Sequence, residues 1–492
     1  MSEHLPPGVF IQESNPGNQP IEAAATSTVG FLGIAERGPT APTLLTSFNE
    51  YHGTFGGYVL DGTQDRYLTY AIEGYFLNGG RRCYVQRVVA KGATTAVTTL
   101  DAKLKVAALG SGLWGNRVAV GVAPSALTQF FRLTVRFWAP GVPWSDEPTV
   151  QEAYDNLSTD EASTDFYEKR VNGASRLVTI ARTDVGGRPA DVTSVWLTGG
   201  SDGQAYAEND FTAALDCFAK LKDITMLCCP EESLVPRITG QILDQCELLK
   251  DRFAILQAPL LVRDLMAHRP PRDSRYGAYY LPWLRIRHAE TGTEKLIPPG
   301  GHIAGIYARV DRERGAHKAP ANEAVRGLLT DPLDPARGLA VLVTTAQQEG
   351  LNSRGVNVLR YFPGRGSLLW GARTMASDPE WKYVNVRRLV IFIEASMKKG
   401  TRWVVFEPND EALWARVRSS VSNFLTGLWK DGMLQGQKPE QAFFVKCDRT
   451  TMTQSDLDQG RLVMVIGIAP IKPAEFVIFK IGQWAGGSEV TD

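Results

Sequence analysis

One short motif in the chain has the residue types that hydrolases use for nucleophilic attack. The sequence GGSDG at residues 199–203 fits the GxSxG spacing, in which a serine lies on a sharp turn between a strand and a helix. It follows an apolar run, SVWLT, but helix signals begin only near Asn209. We therefore predict a surface loop, with an α/β hydrolase that uses Ser201 as the alternative. Histidines that could complete a triad lie downstream at His268, His288, His302 and His317.

A second motif, GSGLWG at residues 110–115, fits the dinucleotide pattern GxGxxG. Dinucleotide sites place this pattern at the start of a helix, with an acidic residue about twenty positions later. Here a strand-like run, NRVAVGV, follows, and the acidic residue is missing. The motif therefore indicates a glycine turn, and we expect no cofactor.

Composition favours a globular protein of several domains without an overall charge. The chain has 492 residues, of which 43% are hydrophobic and 22% charged. Lysine plus arginine and aspartate plus glutamate each total 53. Such a balance provides no general attraction for nucleic acid or anionic membranes, so neither is expected as a partner.

The cysteines and the first residues favour assembly in a reducing compartment. The six cysteines lack CxxC spacing, and four lie in apolar or helical surroundings where buried thiols are common. We expect no metal site. The run MSEHLPPGVFIQE lacks the basic and apolar regions of a signal peptide, and no window approaches eighteen apolar residues. We expect synthesis in the cytoplasm, with any release depending on lysis or a larger particle.

The sequence pattern changes along the chain and suggests several segments. Residues 1–25 are rich in proline and glycine around Val9, Phe10 and Ile11, which suggests an extended arm. Between about 104 and 198, short β-type runs predict a β-rich insertion. From about 205, helices alternate with apolar strands as in parallel α/β units. The passage from 269 to 345 has few regular signals.

The last 145 residues have the clearest pattern. VNVRRLVIFIEASMKK predicts a helix that ends at Gly400, and RWVVFE predicts a strand. Asn409 or Asp410 can cap a long helix, Glu411 to Trp429, whose apolar residues fall at helical spacing. The opposite face contains Arg416, Ser419, Asn423 and Thr426, with Arg418 and Lys430 near its edges.

Three strands are predicted to follow that helix: AFFVKC, RLVMVIGIA and EFVIFKI. In the last of them both faces are apolar, with Val477, Phe479 and Ile481 on one and Phe476 and Ile478 on the other. Such a strand can dock in its own sheet or pair with another chain. On these residues alone, docking in its own sheet is the favoured interpretation.

The order of motifs resembles the contractile tail sheath family. From residue 199 the chain contains GGSDG, YYLPWLRI, PPGGHIAGIYARVDRERGAHKAPAN, GVNVLRYFPGRGSLLWGARTM, KYVNVRRLVIFIE, FEPNDEALWARV and KPAEFV. LPPGVFIQE, GLWGNRVAV and AYDNLS are similar to the family's earlier parts. Each phrase alone is weak, whereas seven in sequence are specific.

The resemblance implies a mixed α/β, multidomain fold with a core formed by the N- and C-terminal regions. The expected segments are an N-terminal arm (1–25), the first part of the core (26–103), a β-rich outer insertion (104–198), an α/β middle domain (199–345), the tube-proximal part of the core (346–473) and a C-terminal arm (474–492). It also implies arms that add strands to neighbouring subunits through Val9, Phe10, Ile11, Phe476, Val477, Ile478, Phe479 and Ile481.

The function implied is that of a non-enzymatic structural subunit in a helical sheath that contracts and drives an inner tube through a membrane. The expected partners are copies of itself, paralogous sheath subunits, the inner tube, and baseplate and cap proteins. Arg416, Arg418 and Lys430 are the candidate tube-facing residues. A tube or baseplate component of the same machine is a further alternative. The particle could be a phage tail, a bacteriocin-like tail or an extracellular injection system, which we favour.

Overall fold

A computed structural model describes most of the chain as a mixed α/β fold built from several units, as the sequence predicts. The residues described are 20–59, 66–127, 129–183, 185, 187–235, 237–331, 333–334 and 336–475. Within this part of the chain, every helix is too short or too polar to span a bilayer.

The described residues form eleven α-helices and twenty strands. The helices are α1 (Phe48–Phe55), α2 (Leu68–Leu77), α3 (Tyr167–Val171), α4 (Glu208–Cys217), α5 (Ile238–Leu249), α6 (Gly300–Arg314), α7 (Thr345–Ser353), α8 (Val384–Gly400), α9 (Glu411–Lys430), α10 (Pro439–Ala442) and α11 (Gln454–Asp458). The strands are β1 (Val29–Gly33), β2 (Thr43–Leu45), β3 (Cys83–Arg87), β4 (Val97–Leu100), β5 (Leu104–Ala108), β6 (Val118–Pro124), β7 (Phe131–Phe137), β8 (Val150–Leu157), β9 (Val178–Arg182), β10 (Val192–Trp196), β11 (Met226–Cys228), β12 (Phe253–Gln257), β13 (Gly277–Leu281), β14 (Leu284–Arg287), β15 (Glu294–Ile297), β16 (Glu323–Ala324), β17 (Val356–Phe362), β18 (Gly366–Trp370), β19 (Phe443–Lys446) and β20 (Val465–Ile468).

A nine-stranded sheet organises the largest core. Its order is β16-β18-β17-β13-β12-β11-β1-β3-β2, and the run from β17 to β3 is parallel. Every residue of β1, β12 and β13 is buried. Strands covered on both faces have continuous apolar sequences instead of alternating ones, which explains the uninterrupted apolar runs here.

A separate β-rich unit interrupts this sheet between β3 and β11. It contains the sheets β4-β5-β9 and β10-β6-β7-β8, which share a core of their own that includes the fully buried Val106, Phe131 and Leu133. The unit begins earlier than the expected boundary at residue 104, because β4 pairs with β5.

The third unit contains α8, α9, β19 and β20. The helices predicted at Val384–Gly400 and from Glu411 both form, and Asp410 is the cap, since its Oδ1 accepts the N–H of Leu413 at 2.8 Å. Leu389, Val421 and Leu425 are fully buried between these elements.

The nine-stranded sheet contains strands from residues 26–103 (β1, β2 and β3) and from the last 145 residues (β17 and β18). The expected domain boundaries stay a prediction. β1 lies between β3 and β11, so the N-terminal strands share a sheet with the middle of the chain. Residues 21–26 also contact α8. Parallel strands need crossover connections, and the intervening segments supply them.

Two predictions of local structure are wrong: the strand at RWVVFE and the irregular structure of residues 269–345. RWVVFE does not form a strand: Arg402–Val404 is a 3₁₀ turn, and Phe406 is exposed with a φ of 71°. Its β-forming residues find no partner strand among the described residues, and strand formation depends on such pairing.

The passage from 269 to 345, expected to be irregular, contains the buried helix α6. This helix begins with Gly300 and Gly301, and glycines in sequence are typical of loops. A Cβ atom on Gly301 or Gly305 would overlap the backbone carbonyl of Ala71 or Tyr75 in α2. The glycines are therefore needed for close helix packing.

Candidate assembly surfaces

The GxSxG motif forms a turn and does not form a nucleophile elbow. The Ser201 hydroxyl accepts the N–H of Gly203 at 3.1 Å, and α4 begins only at Glu208. The downstream histidines have other surroundings: His268 bonds the Tyr279 hydroxyl, and the His288 Nδ1 accepts the N–H groups of Glu290 and Thr291. The hydrolase alternative therefore lacks the geometry that its motif requires.

The two glycine motifs pack together at the neck of the β-rich unit, where the chain enters the unit near Thr94 and leaves it near Ser201. Thr94 and Ser201 exchange backbone hydrogen bonds of 2.9 and 3.1 Å. The Asn116 side chain pairs with both backbone groups of Gly200 at 2.8 Å each, and Asp202 accepts the N–H of Leu113. The motif at 110–115 is a turn, as predicted. Sequence spacing gave no sign that the two turns pack against each other.

Two adjacent glutamates are buried, Glu231 at the first turn of α2 and Glu232 at the end of β12. The Glu231 Oε1 accepts the N–H groups of Tyr67 and Leu68 at 2.9 and 3.0 Å, while Glu232 accepts the N–H of Gln257. Burial raises the pKa of Glu231 to about 7 and that of Glu232 to about 8. Both carboxyls accept hydrogen bonds from backbone N–H groups, and no sequence pattern pointed to either of them.

The thiols are structural rather than arranged for metal binding in the described part of the chain. Five cysteines are buried and Cys217 is exposed, and all six are free. Burial raises the pKa of Cys246, which keeps that thiol protonated. No group of three potential metal ligands occurs among the described residues.

The face of α9 that was predicted to contact a tube is only partly available. Arg416 is half-buried, because its guanidinium pairs with Glu407 at 3.2 Å and lies over the Trp403 ring at 5.4 Å. Arg418 and Lys430 are exposed, although one Arg418 nitrogen donates to the Cys447 carbonyl. The exposed basic character of this face therefore comes from Arg418 and Lys430.

A two-stranded sheet on the same unit has open edges. β19 and β20 pair only with each other among the described residues, in a register that runs from Phe443 opposite Ile468 to Lys446 opposite Val465. One face packs on the core of α8 and α9. Phe444 and Val465 remain 50% and 44% exposed. The sheet thus offers apolar, unpaired strand edges to another chain.

The predicted arm residues cannot be placed against this sheet directly. Val9, Phe10, Ile11, Phe476, Val477, Ile478, Phe479 and Ile481 lie outside the described residues. Their assignment stays a prediction. The segments adjoining them, residues 20–26 and 471–475, are described and contact α8.

Two family models match adjacent stretches of the chain. The phage tail sheath protein central domain matches residues 205–375, and the phage tail sheath C-terminal domain matches residues 376–483. Together they cover more than half of the 492 residues.

Curated proteins with similar sequences are also tail sheath proteins. The chain is 27% identical over 184 residues to the tail sheath protein of Vibrio phage KVP40, a match that covers 37% of this chain and 26% of that protein. It is 26% identical over 216 residues to a putative prophage major tail sheath protein of Pseudomonas aeruginosa strain UCBPP-PA14, covering 43% of this chain and 52% of that protein. The chain therefore spans about half or less of the length of these relatives.

A solved structure with the same fold is the PVC sheath complex of an extracellular contractile injection system in its contracted state. The TM-score is 0.61, the sequence identity is 23%, and the match covers 99% of both chains. The shared fold therefore includes the β-rich unit as well as the two stretches that the family models match.

Proposed function

The chain belongs to the contractile tail sheath family, and on that premise we propose that it is a structural subunit that polymerises as a helical cylinder around an inner tube. Contraction of the cylinder drives the tube through a target membrane. The proposed partners are further copies of the chain, paralogous sheath subunits, the tube protein, and baseplate and cap proteins. The subunit is assembled in the bacterial cytoplasm and leaves by lysis as part of a phage tail or injection particle.

The observation that carries this proposal is the open-edged sheet of β19 and β20. Among the described residues each strand has one edge without a partner strand, and such an edge presents a row of N–H and C=O groups that another chain can complete. The sequence supplies two apolar candidate strands, one within residues 1–25 and one within 474–492. We assign one arm, from a neighbouring subunit, to each edge.

Strand exchange suits a sheath because it connects subunits without fixing the contacts between their rigid units. A helical lattice of heterologous contacts can then change from an extended arrangement to a shorter one while the arms stay paired. The free energy for the change is stored at assembly, in contacts that are not yet the best available. The proposed contraction therefore needs no cofactor.

We place the tube contact on the exposed part of α9. Arg418 and Lys430 give this face a modest positive charge, and a surface charge contact of this kind is weak and easily released. Arg416 contributes less than the sequence suggested, because Glu407 already pairs with it. A weak contact allows the sheath to hold the tube and release it during contraction.

Removal of residues 1–20 tests the arm assignment. The described core keeps its own contacts, so the truncated protein should remain a folded monomer that no longer forms long cylinders. Electron microscopy and size-exclusion chromatography measure both properties. Normal cylinders from the truncated protein would contradict the arm assignment.

A charge reversal tests the tube contact separately. The double variant Arg418→Glu/Lys430→Glu should fold normally, because both side chains are exposed. It should lose tube-templated extended sheath while retaining any tube-free polymer. Lys105→Glu, an exposed change in the β-rich unit, is the control that should assemble on the tube as the wild type does. Normal yields of extended particles from the double variant would move the tube contact elsewhere.

A further inference from the structure

Glu475, the last described residue, is held by a cluster of basic and polar side chains. Arg373 donates to both carboxylate oxygens, with Nε to Oε1 at 2.8 Å and Nη2 to Oε2 at 2.5 Å. The Tyr383 hydroxyl donates to Oε2 at 3.3 Å, and the Lys382 Nζ lies 3.7 Å from the same oxygen. Burial alone would raise the pKa of Glu475, but the hydrogen bond and charge of Arg373 hold it below its usual value.

Contacts other than the one with Glu475 also hold Arg373 in place. The side chain of Asn357, a fully buried residue of β17, accepts the N–H of Arg373 and donates to its carbonyl, both at 2.7 Å. A third contact joins the Arg373 Nη1 to the Asn352 carbonyl at 2.9 Å. A bidentate arginine on a fixed backbone specifies the direction of its carboxylate partner as well as its position.

The residues before Glu475 follow the beginning of α8. Asn385, in the first turn of the helix, donates to the carbonyl of Ile471 at 2.9 Å and to that of His317 at 2.7 Å. Asn385 is almost completely buried, so this contact is part of the packed interior. The segment that adjoins the C-terminal arm is therefore attached at one end of α8.

The segment that adjoins the N-terminal arm is attached at the opposite end of α8. The Ala24 N–H donates to the buried Ser396 hydroxyl at 2.9 Å, and Ser396 in turn donates to the Phe392 carbonyl. Ile21 is buried against Gly400, the last residue of the helix. A Cβ atom at residue 400 would lie only 2.8 Å from Ile21 side-chain carbons, so the contact is close.

One rigid element thus carries both attachment points. α8 has 17 residues, which corresponds to a length of about 25 Å. Its second turn is fixed to α6, because Arg388 pairs with Asp311 in the interior. An arm that is pulled at one end of this helix transmits force along a continuous hydrogen-bonded helix to the other end.

We propose that α8 is the common anchor of the two arms, and that Arg373 is a positioning residue that fixes where the C-terminal arm leaves the subunit. This inference rests on the proposed function, in which the arms join neighbouring subunits. It adds the connection inside each subunit: strand contacts on one side of the lattice are linked through α8 to those on the other. Loss of the Arg373–Glu475 pair releases the arm from this anchor while the subunit stays folded.

The test is a charge reversal at the arm side of the pair. Glu475→Arg places a positive charge beside Arg373 and Lys382, so the arm should leave the anchor. The subunit concentration needed for assembly should rise at least about tenfold, as expected when a charge-paired contact is replaced by repulsion. Glu475→Asp keeps the charge and should assemble at close to the wild-type concentration. Glu380→Arg, an exposed change nearby, is the control that should have no effect.

A reciprocal change separates a positioning role from a general loss of stability. Arg373→Glu combined with Glu475→Arg restores opposite charges and should recover much of the assembly, while the melting temperature of the unassembled subunit reports folding. Unchanged assembly by Glu475→Arg, or a double variant that folds but does not recover, would overturn the anchor. If deletion of residues 476–492 also leaves assembly intact, the failure belongs to the proposed arm exchange.

Discussion

Arg388 of α8 and Asp311 of α6 form an ion pair inside the molecule. Their side chains are 4% and 1% exposed, and the two contacts measure 2.8 and 2.5 Å. The second guanidinium nitrogen also donates to the Thr26 carbonyl, and the guanidinium lies over the Tyr307 ring. The pair therefore connects the unit of the nine-stranded sheet, the unit that contains α8 and α9, and the segment that follows the N-terminal arm.

Removal of the carboxylate alone should be strongly destabilising. Asp311→Ala leaves the Arg388 charge buried without its partner, and the free energy of unfolding should fall by about 3–5 kcal/mol. The exposed pair between Lys399 and Glu22 is the matched control. Glu22→Ala should have little effect, since surface pairs contribute little. Chemical denaturation of the unassembled subunit measures both. Equal effects would show that burial does not set the importance of the pair.

The stability of the unassembled subunit should fall as the pH rises from about 5 to about 8. The folded-state pKa of Glu231 is raised to about 7 and that of Glu232 to about 8, so the folded state holds protons that the unfolded state has released. The stability that these two groups contribute is greatest below the unfolded-state pKa of about 4.3 and declines until the folded-state values are passed. Melting temperatures across this range measure the decline.

Glu231→Gln keeps the shape of the side chain and removes one titrating group. Its melting temperature should depend less on pH than that of the wild type, with the difference largest near pH 8. The neutral amide oxygen can still accept the N–H groups of Tyr67 and Leu68, which Oε1 accepts in the wild type. An unchanged pH profile in this variant would mean that Glu231 does not titrate between the two states.

The close packing of α2 on α6 predicts opposite results for two glycine substitutions. Gly305→Ala places a methyl group against the Tyr75 carbonyl and should destabilise the subunit by about 1–3 kcal/mol. Gly427→Ala in α9 meets nothing within 4 Å and should stabilise it by roughly 0.5–1 kcal/mol, because alanine favours a helix. Denaturation curves of the two variants test this. Stabilisation by both substitutions would contradict the packing.

The neck at Thr94 and Ser201 predicts that the β-rich unit can be removed. Because these residues exchange hydrogen bonds, a short Gly-Ser linker can replace residues 95–200. The remainder should fold with a moderate loss of stability, since Arg87 loses its bond to the Ser111 carbonyl but keeps those to Ala35 and Gly38. Circular dichroism and thermal melting check this. An unfolded remainder would show that the central sheet depends on the insertion.

The sequence predicted elements well where local signals and burial agreed. In α9 the Asp410 cap and the apolar spacing both indicate the same helix, and it forms as expected. In α6 the glycines that permit packing on α2 are residue types typical of loops, so the local sequence pattern did not predict a helix. Tertiary packing outweighed local propensity there. The segment around Phe406 shows the converse, because its strand-forming residues have no partner strand within the described part of the chain.

The assembly surfaces were predicted less completely than the fold. Helical spacing predicted a basic α9 face as a candidate surface, but it gave no sign that Arg416 pairs with Glu407 and lies over the Trp403 ring. Arg373 and Glu475 are 102 residues apart in the chain, and no local pattern connects them. The resemblance supplied the idea of exchanged arms, whereas the open edges of β19 and β20 come from the structure.

Helical reconstruction of the assembled polymer by electron cryomicroscopy shows directly whether neighbouring subunits exchange arms. The expected result is a cylinder in which β19 and β20 each pair with a strand from a neighbouring subunit, one containing Val9–Ile11 and the other Phe476–Ile481. The described units should keep the fold given above. A cylinder in which both edges of this sheet remain unpaired, or purified protein that forms no cylinder under any assembly condition, would contradict it.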